Sequence, residues 1–165
     1  MPSDIDYNEV HNRNDASRQF ITFTLGDEEY GVHIMSVREI KGWSDTRKMP
    51  NTPKFVRGVI NLRGEVLPIF DLRARFGLGE TDPTPTHVVI IINVGGHNIG
   101  ILVDGISDIV TVQEEHILPV PKMDQRPDEE YLSGIIMIQE RMIALLAAEK
   151  LFDYALVKQA EAMAS

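Results

Sequence analysis

Residues 56–76 read VRGVINLRGEVLPIFDLRARF, a pattern that predicts a strand, a tight turn, a second strand and the start of a helix. The turn is a short polar break, Arg63-Gly64-Glu65, whose glycine adopts a positive φ at little cost. Pro68 in the second apolar run has no N–H to donate, so we expect this strand at a sheet edge or a bulge. Asp71 is placed to cap the helix that follows it. The polar side chains of this hairpin are typical of a presented surface, and none of them indicates a reactive group.

An internal repeat surrounds this hairpin. Residues 20–40 align with residues 89–109, sixty-nine positions later, and residues 58–76 align with residues 134–152 after a shift of seven residues. Identity is low, but the glycine and apolar positions keep their order, which indicates a duplicated unit. Each copy has about five short apolar runs in about sixty residues, a density that is typical of a small closed barrel.

The predicted organisation is one domain between two tails. Residues 77–86 are rich in Gly, Pro and Thr and separate the two copies. From Glu149 onward, one helical face collects Leu151, Phe152, Ala155 and Leu156, which predicts a helix packed on a barrel. The expected segments are a disordered tail at 1–17, a domain at 18–152 with copy one at about 18–80 and copy two at about 87–152, and a helical tail at 153–165.

The composition is ordinary for a globular protein and narrows the classes of partner. Hydrophobic residues make up 43% and charged residues 25% of the 165 residues. Sixteen basic residues against twenty-five acidic ones give a net charge of −9, so we expect no non-specific binding to nucleic acid or to anionic lipid. The absence of cysteine excludes disulfides, thiol catalysis and Cys-type zinc sites. No apolar run suits a transmembrane helix or a signal peptide, which indicates a cytoplasmic protein.

Motifs for catalysis or metal binding are missing from the sequence. The five histidines stand at no metal-ligand spacing, and HExxH, GxSxG, P-loop and dinucleotide-binding patterns do not occur. His33 and His87 lie in or beside predicted strands, where ordinary barrel positions explain them. Asp104 and Asp108 flank a predicted turn without a base, metal or nucleophile pattern, and a solvated acidic loop explains them. We expect no cofactor and no metal, and a small barrel without catalytic groups is typical of an interaction module.

Several motifs, spread over nearly the whole chain, carry a family resemblance. They are Phe23-Thr24-Leu25-Gly26-Asp27-Glu28-Glu29-Tyr30-Gly31, Val37-Arg38-Glu39-Ile40, Gly58-Val59-Ile60-Asn61-Leu62-Arg63-Gly64, Leu67-Pro68-Ile69, Asp71-Leu72-Arg73, Val103-Asp104-Gly105-Ile106-Ser107-Asp108 and Tyr131-Leu132-Ser133-Gly134. Together they make the sequence similar to the CheW family, the coupling proteins of bacterial chemotaxis. The similarity covers about residues 18–153.

The resemblance implies an all-β fold of two SH3-like five-stranded β-barrels, with short helices and a C-terminal helix. It implies a non-catalytic scaffold that couples methyl-accepting chemoreceptors to the histidine kinase CheA, so that receptors control kinase activity. The expected partners are the helical hairpin tip of a receptor, the CheW-like regulatory domain of CheA and other CheW copies in array rings. The protein would be cytoplasmic and recruited to membrane-bound receptor arrays, without inserting into the membrane.

Four residues match the family's receptor-binding positions, which the resemblance places in a groove between the barrels. Val37 and Val88 would give the groove an apolar floor, and Glu39 and Arg63 would provide opposite charges that fix the register of a docked helix. Packing in a barrel core is the alternative for the two valines, and a solvated turn is the alternative for Arg63. The second copy reads Gln139-Glu140-Arg141 at that turn, so the turn itself does not demand a cation.

Structural roles are expected for a second group of residues. Gly58 and Gly134 occupy equivalent positions of the repeat, and tight bends at barrel corners explain them without a ligand. The residues predicted to shape the groove and its turns are Gly58, Asn61, Gly64, Gly100 and Gly134.

A kinase-facing surface is expected on an edge strand of copy one. Trp43 is the only tryptophan and is a candidate anchor, with core packing as its alternative. The residues predicted for this contact are Ile40, Trp43, Pro68 and Phe70.

Two other functions stay open at this point. The chain could serve as a CheW-like adaptor of a separate chemosensory pathway, such as surface motility or biofilm control. A small-barrel enzyme acting on a soluble metabolite would need a concave pocket with convergent titratable groups, whereas a scaffold predicts an open apolar groove.

Overall fold

The structure is a computed structural model that describes residues 17–122 and 128–163. Ten strands form the framework of these residues: β1 (Ser17–Leu25), β2 (Glu28–His33), β3 (Val37–Gly42), β4 (Val56–Leu62), β5 (Glu65–Asp71), β6 (Val88–Val94), β7 (His97–Val103), β8 (Gly105–Gln113), β9 (Leu132–Ile138) and β10 (Arg141–Leu146). The short helices are α1 (Leu72–Arg75), α2 (Ala148–Leu151) and α3 (Tyr154–Ala162), and 3-10 turns cover Ile34–Ser36, Glu114–His116 and Glu129–Tyr131. Within the two described ranges, no helix combines the length and the apolar character needed to cross a membrane.

Two five-stranded sheets contain these strands. Sheet I has the order β8-β1-β2-β10-β9, and sheet II has the order β3-β6-β7-β5-β4. Neighbouring strands are antiparallel, except that β2 runs parallel to β10 and β5 runs parallel to β7. The expected all-β fold with two five-stranded units, short helices and a C-terminal helix is confirmed.

The two sheets are equivalent when the repeats are exchanged. Replacing each strand by its counterpart in the other repeat (β1 by β6, β2 by β7 and so on) converts the order of sheet I into that of sheet II. The registers agree as well, because Leu145 pairs with Gly31 in sheet I and Ile69 pairs with Gly100 in sheet II. Strand pairing therefore supports the duplication that was inferred from weak sequence similarity.

Each sheet nevertheless mixes strands from both repeats. Sheet I combines β1 and β2 of the first repeat with β8, β9 and β10 of the second, and sheet II combines the remaining five. The expected division into a barrel at about 18–80 and a barrel at about 87–152 is therefore wrong at the level of the sheets. Its physical reason is that an apolar pattern fixes which face of a strand is buried, whereas it leaves the distant pairing partner open.

Three apolar clusters fill the space within and between the sheets. The central core joins both sheets and includes Phe23 of sheet I and Ile90 of sheet II. Sheet II encloses a smaller cluster around Leu67, and sheet I encloses another around Ile143. On β6, Ile90 belongs to the central core and Ile91 to the sheet II cluster, so this strand is buried on both faces. Its continuous β-branched sequence predicts this burial.

Each sheet is closed toward a barrel by a short backbone bridge between its edges. In sheet II, Arg47 lies downstream of β3 and exchanges backbone hydrogen bonds of 2.7 and 3.0 Å with Val59 of β4. In sheet I, Leu118 lies downstream of β8 and exchanges bonds of 2.8 and 2.9 Å with Ile135 of β9. Because β3 and β4 are the outermost strands of sheet II, and β8 and β9 those of sheet I, both bridges join opposite edges.

Pro68 does not lie on an edge strand, so of the two expected positions the edge is wrong, whereas a bulge is present beside it: the register between β4 and β5 shifts between Val56 and Gly58, opposite Phe70 and Ile69. Its strand, β5, has β4 on one side and β7 on the other. The missing N–H is tolerated because pairing between β5 and β7 begins only at Ile69. Asp71, by contrast, caps α1 as predicted, with its Oδ1 accepting from the backbone N–H of Ala74 at 3.4 Å.

The C-terminal segment contains two helices where one was expected. α2 ends at Leu151 and α3 begins at Tyr154, because the Asp153 side chain caps a new helix by accepting from the Leu156 N–H at 3.2 Å. Ala155 is consequently exposed, and the buried face of α3 consists of Leu156, Val157 and Ala160. At the other end, the predicted tail at 1–17 lies outside the described residues, except that Ser17 begins β1 and pairs with Gln113.

Candidate partner-binding site

A β-bulge on edge strand β3 gives two apolar side chains the same orientation. Val37 pairs with Ile92 and Ile40 pairs with Ile90, so β3 has one residue more than β6 between these two pairs. Directly paired residues of antiparallel strands share a face, and Ile90 and Ile92 belong to the central core. Val37 and Ile40 therefore both lie on the side of sheet II that faces the central core.

The two predicted floor residues lie at the margin of that core. Val37 and Val88 are both partly buried, and both pack against the central core. Ile40, on the same side of β3, is 42% exposed. Groove floor and core packing were alternatives for the valines in the sequence, and in the structure both side chains pack against the central core and keep part of their surface exposed.

Arg63 and Glu39 form an ion pair between the two edges of sheet II. Arg63 Nη2 donates to Glu39 Oε2 at 2.8 Å, which joins the β4–β5 turn to β3. The Arg63 side chain is 75% exposed, whereas the Glu39 side chain is 30% exposed. The hydrogen bond to Glu39, reinforced by its negative charge, raises the pKa of Arg63. The structure thus brings the two predicted charges together and leaves the arginine accessible.

The turn that carries Arg63 has a left-handed backbone. The φ angles are 51° at Arg63 and 89° at Gly64, which are typical of a two-residue type I′ hairpin turn. The Gly64 N–H donates to Asn61 Oδ1 at 2.8 Å, and this bond anchors the turn. Gln139, at the equivalent turn of sheet I, has a φ of 57°. A left-handed first residue is therefore shared by both turns and does not require an arginine.

Edge strand β8 displays an equivalent apolar pair that the sequence analysis missed. Ile106 pairs with Phe23 and Ile109 pairs with Ile21, across a bulge of the same kind as on β3. Phe23 and Ile21 belong to the central core, so both β8 isoleucines lie on its side of sheet I. Their exposed fractions are 37% and 57%. The repeat alignment, which matches these residues with the apolar pair of β3, is the signal that could have found them.

A polar network accompanies the β8 pair. Thr22 Oγ1 donates to Asp108 Oδ1 at 2.6 Å, and Arg141 donates to both Asp108 oxygens at 3.2 and 3.4 Å. Arg141 also makes two hydrogen bonds to the Glu29 carboxylate. The bond from Thr22, followed by those from Arg141, lowers the pKa of Asp108. Asp108 is therefore held by two other strands, which differs from the solvated loop that was expected.

Asp104 is held in a similar way where the chain turns into β8. Its Oδ2 accepts from the Gly26 N–H at 2.7 Å, and its oxygens lie 3.5 Å from Arg73 Nη2 and from His87 Nε2. These contacts connect the β1–β2 turn, α1 and the start of β6. Both aspartates therefore have a structural role, because each one binds neighbouring elements of the fold.

The predicted glycines keep neighbouring segments close together. Gly58 has a φ of 132°, and a Cβ at this position would overlap the carbonyl oxygen of Arg47, which forms the bridge that closes sheet II. At Gly100 and Gly134, a Cβ would lie within 3 Å of a neighbouring side chain. These three positions therefore shape the sheets by close approach, while Gly64 serves the turn.

The comparisons with known proteins agree with this architecture. A family model described as the CheW-like domain matches residues 19–156. The chain belongs to the CheW-like family. A probable chemotaxis protein CheW from Rhizobium etli is 47% identical over 144 residues, which cover 87% of this chain and 93% of the relative. The chemotaxis protein CheW from Klebsiella aerogenes is 42% identical over 138 residues, which cover 84% of this chain and 83% of the relative.

A solved structure supports the fold independently. The crystal structure of the scaffolding protein TtCheW from Thermoanaerobacter tengcongensis matches this CheW-like chain with a TM-score of 0.73 at 32% identity. The match covers 78% of this chain and 88% of that chain. The chain is thus a non-catalytic scaffold, a coupling adaptor of chemotaxis.

Burial corrects the surface that was expected to face the kinase in this CheW-like chain. Pro68 and Phe70 are both buried, and Phe70 has no exposed surface, because β5 is an inner strand whose outer face packs into the central core. Neither residue can contact a partner directly. Trp43 is partly buried against the sheet II cluster, with the Arg57 guanidinium 5.7 Å from its ring centroid. Of the four predicted residues, Ile40 is the one with a large exposed apolar side chain.

Proposed function

We propose that this scaffold couples chemoreceptors to the histidine kinase CheA by binding the helical tip of a receptor beside strands β3 and β8. The observation that carries the proposal is the pair of bulged edge strands, each with two apolar side chains on the side of the central core. An amphipathic helix binds by burying its apolar face against exposed apolar side chains of this kind. The scaffold is recruited from the cytoplasm to membrane-bound receptor arrays through this contact.

Charge at the rim supports a defined register for the docked helix. Arg63 is mostly exposed and uses one nitrogen, Nη2, for its bond to Glu39. A guanidinium has five N–H donors, so a carboxylate of the receptor can share Arg63 while Glu39 keeps its bond. Val37 and Val88, at the margin of the core, then contact the apolar side of the same helix.

Opposite charge on the two repeats supports contacts with the regulatory domain of CheA and with further CheW copies. Residues 38–75 contain nine Lys or Arg and four Asp or Glu, whereas the repeat-equivalent residues 107–151 contain four Lys or Arg and nine Asp or Glu. Domains of this fold can therefore associate with the basic part of one facing the acidic part of the next. Such a contact weakens as the ionic strength rises.

Co-sedimentation with receptor-containing membranes tests the proposal. The purified protein is sedimented with membranes, with and without CheA, and kinase activity is measured in the same tubes. We expect a ternary complex and receptor-dependent kinase activation. Arg63→Ala and Glu39→Ala should weaken receptor binding by about tenfold, in line with a rim charge pair that sets register.

Lys150→Ala provides the matched control, because Lys150 is an exposed cation on α2 and belongs to neither β3 nor β8. This variant should bind receptor membranes like the wild type. Wild-type protein that binds neither membranes nor CheA would refute the proposed partners. Normal receptor binding by the Arg63 variant would refute only the role of the charge pair.

A further inference from the structure

We propose that Thr22, Asp108 and Arg141 are positioning residues that hold the β8 bulge in the shape required for receptor binding. This inference rests on the proposed function, because it concerns how the β8 side of the same groove is formed. None of these three residues needs to touch the receptor. They act through Ile106 and Ile109.

The bulge is what gives both isoleucines the same orientation. Residues three positions apart in a regular strand lie on opposite faces. Between its pairs with Phe23 and Ile21, β8 has one residue more than β1, and this extra residue turns Ile106 and Ile109 to the same side. A change in the bulge would therefore move one of the two apolar contacts out of the groove.

The Thr22 hydroxyl binds the bulge from the neighbouring strand. It accepts from the Asp108 N–H at 3.0 Å and donates to Asp108 Oδ1 at 2.6 Å, so it contacts both the backbone and the side chain of one residue. Thr22 has no exposed surface. A buried hydroxyl with two hydrogen bonds to one residue of the bulge fixes the backbone at that point.

Arg141 extends the hold on the bulge to two further strands. It lies at the start of β10 and bridges Asp108 of β8 and Glu29 of β2. These bonds favour the ionised form of the aspartate, whose pKa is lowered. Strands β1, β2, β8 and β10 are thereby connected through Arg141 and the carboxylates of Asp108 and Glu29.

The equivalent bulge on β3 indicates that this network is not required for folding. The repeat-equivalent of Thr22 is Ile91, which has no hydroxyl, and it packs in the sheet II cluster. Strand β3 nevertheless has the same bulge opposite Ile91. The network is therefore an addition to one half of the molecule, and its role there is to restrict the shape of the β8 surface.

Three variants of the full chain test this inference. Thr22→Val removes the hydroxyl at nearly constant volume, Thr22→Ser keeps it, and Arg141→Gln removes the bridge at a partly exposed side chain. Affinities for receptor-containing membranes and for CheA are measured separately. We expect Thr22→Val and Arg141→Gln to bind receptors about tenfold more weakly, with CheA affinity unchanged and with receptor affinity restored in Thr22→Ser.

The outcomes separate this inference from the proposed function. If wild-type protein does not bind receptor membranes, the proposed function fails. If the wild type binds and Ile106→Ser weakens binding while Arg141→Gln binds normally, the positioning role is refuted and the groove stands. If Thr22→Val does not fold, Arg141→Gln and Thr22→Ser still decide. Equal losses of receptor and CheA affinity would show general destabilisation and would also refute the inference.

Discussion

Strands β3 and β8 occupy equivalent edges of the two sheets, yet different side chains hold them. On β8, Asp108 is bound by a buried threonine and by Arg141. On β3, the equivalent carboxylate, Glu39, is bound by the exposed Arg63 of a hairpin turn. Both edges keep the bulge and the apolar pair, so duplication preserved the display of apolar side chains while the polar contacts diverged. Arg141 binds two carboxylates of the protein itself, whereas Arg63 binds one and stays mostly exposed.

The largest expected difference between the two sheets concerns the backbone bridges that close them, Arg47–Val59 and Leu118–Ile135. Gly58 and Gly134 are equivalent in the repeat, but Gly58 has a positive φ and a Cβ there would lie 2.4 Å from the Arg47 carbonyl oxygen. A Cβ at Gly134 would lie 2.7 Å from the Ile117 side chain and 3.1 Å from the Leu118 carbonyl oxygen. We expect Gly58→Ala to lower the free energy of unfolding by about 3 kcal/mol or more, since backbone cannot move aside. Gly134→Ala should cost about 1–2 kcal/mol.

Urea unfolding of both glycine variants, followed by circular dichroism, measures these costs. Gly105→Ala is a suitable control, because a Cβ there would have no atom within 4 Å. Equal losses in the free energy of unfolding for the two variants would mean that both closures tolerate a Cβ equally poorly, which would contradict this prediction.

The two arginines provide the next contrast. Arg141 contacts two carboxylates and its side chain is 38% exposed, whereas Arg63 contacts one and is 75% exposed. We expect Arg141→Gln to lower Tm by about 3 °C and Arg63→Gln to change it by less than about 1 °C, because exposed single ion pairs contribute little. Calorimetry at low and high salt measures both. A larger loss for Arg63 would make the β3 ion pair a structural bond and would contradict its proposed availability to a partner.

The sequence predicted the local features of these edges and missed the long-range ones. The hairpin turn at Arg63 and the cap at Asp71 depend on a few neighbouring residues, so residue type was enough to predict them. The exchange of strands between the repeats depends on the pairing of β2 with β10, which lies more than 100 residues later in the sequence. No local sequence pattern specifies that pairing. The burial of Phe70 follows from the same exchange, because it makes β5 an inner strand.

The site was predictable to a similar degree. Glu39 and Arg63 were found through the resemblance, and their ion pair required only that β3 and the β4–β5 turn be close. Ile106 and Ile109 were aligned with the apolar pair of β3 but were not recognised, because exposure of an apolar residue depends on what covers its strand. The contact between Asp108 and Arg141 joins residues 33 positions apart in the second repeat. It forms only when β8 and β10 come together in the folded sheet, so the local sequence does not predict it.

The contribution of the Asp108 carboxylate to stability should decrease at acidic pH. The pKa of Asp108 is lowered from its ordinary value of 3.8, mainly by the bond from Thr22 and then by those from Arg141. Its ionised form therefore contributes stability above about pH 4, and this contribution is lost as the pH falls through the lowered pKa. We expect wild type to be more stable than Asp108→Asn at pH 7, with the difference shrinking as the pH falls below about 4. A difference that stays constant over this range would contradict the charge-based hold.

The smallest expected effect concerns the turns that lead into the two strands. Before β8, the turn is held by the Asp104 carboxylate, whereas before β3 the His33 Nδ1 accepts from the Met35 N–H at 3.1 Å and caps a 3-10 turn. Burial, and secondarily the nearby Arg18, lowers the pKa of His33 from 6.5. The neutral cap therefore stabilises the fold above about pH 6.5, and its contribution is lost as the pH falls through the lowered pKa. In His33→Asn, whose side chain caps without titrating, the free energy of unfolding should fall less between pH 7 and pH 5 than in the wild type. Parallel pH profiles for wild type and variant would refute the role of His33 as a pH-sensitive cap.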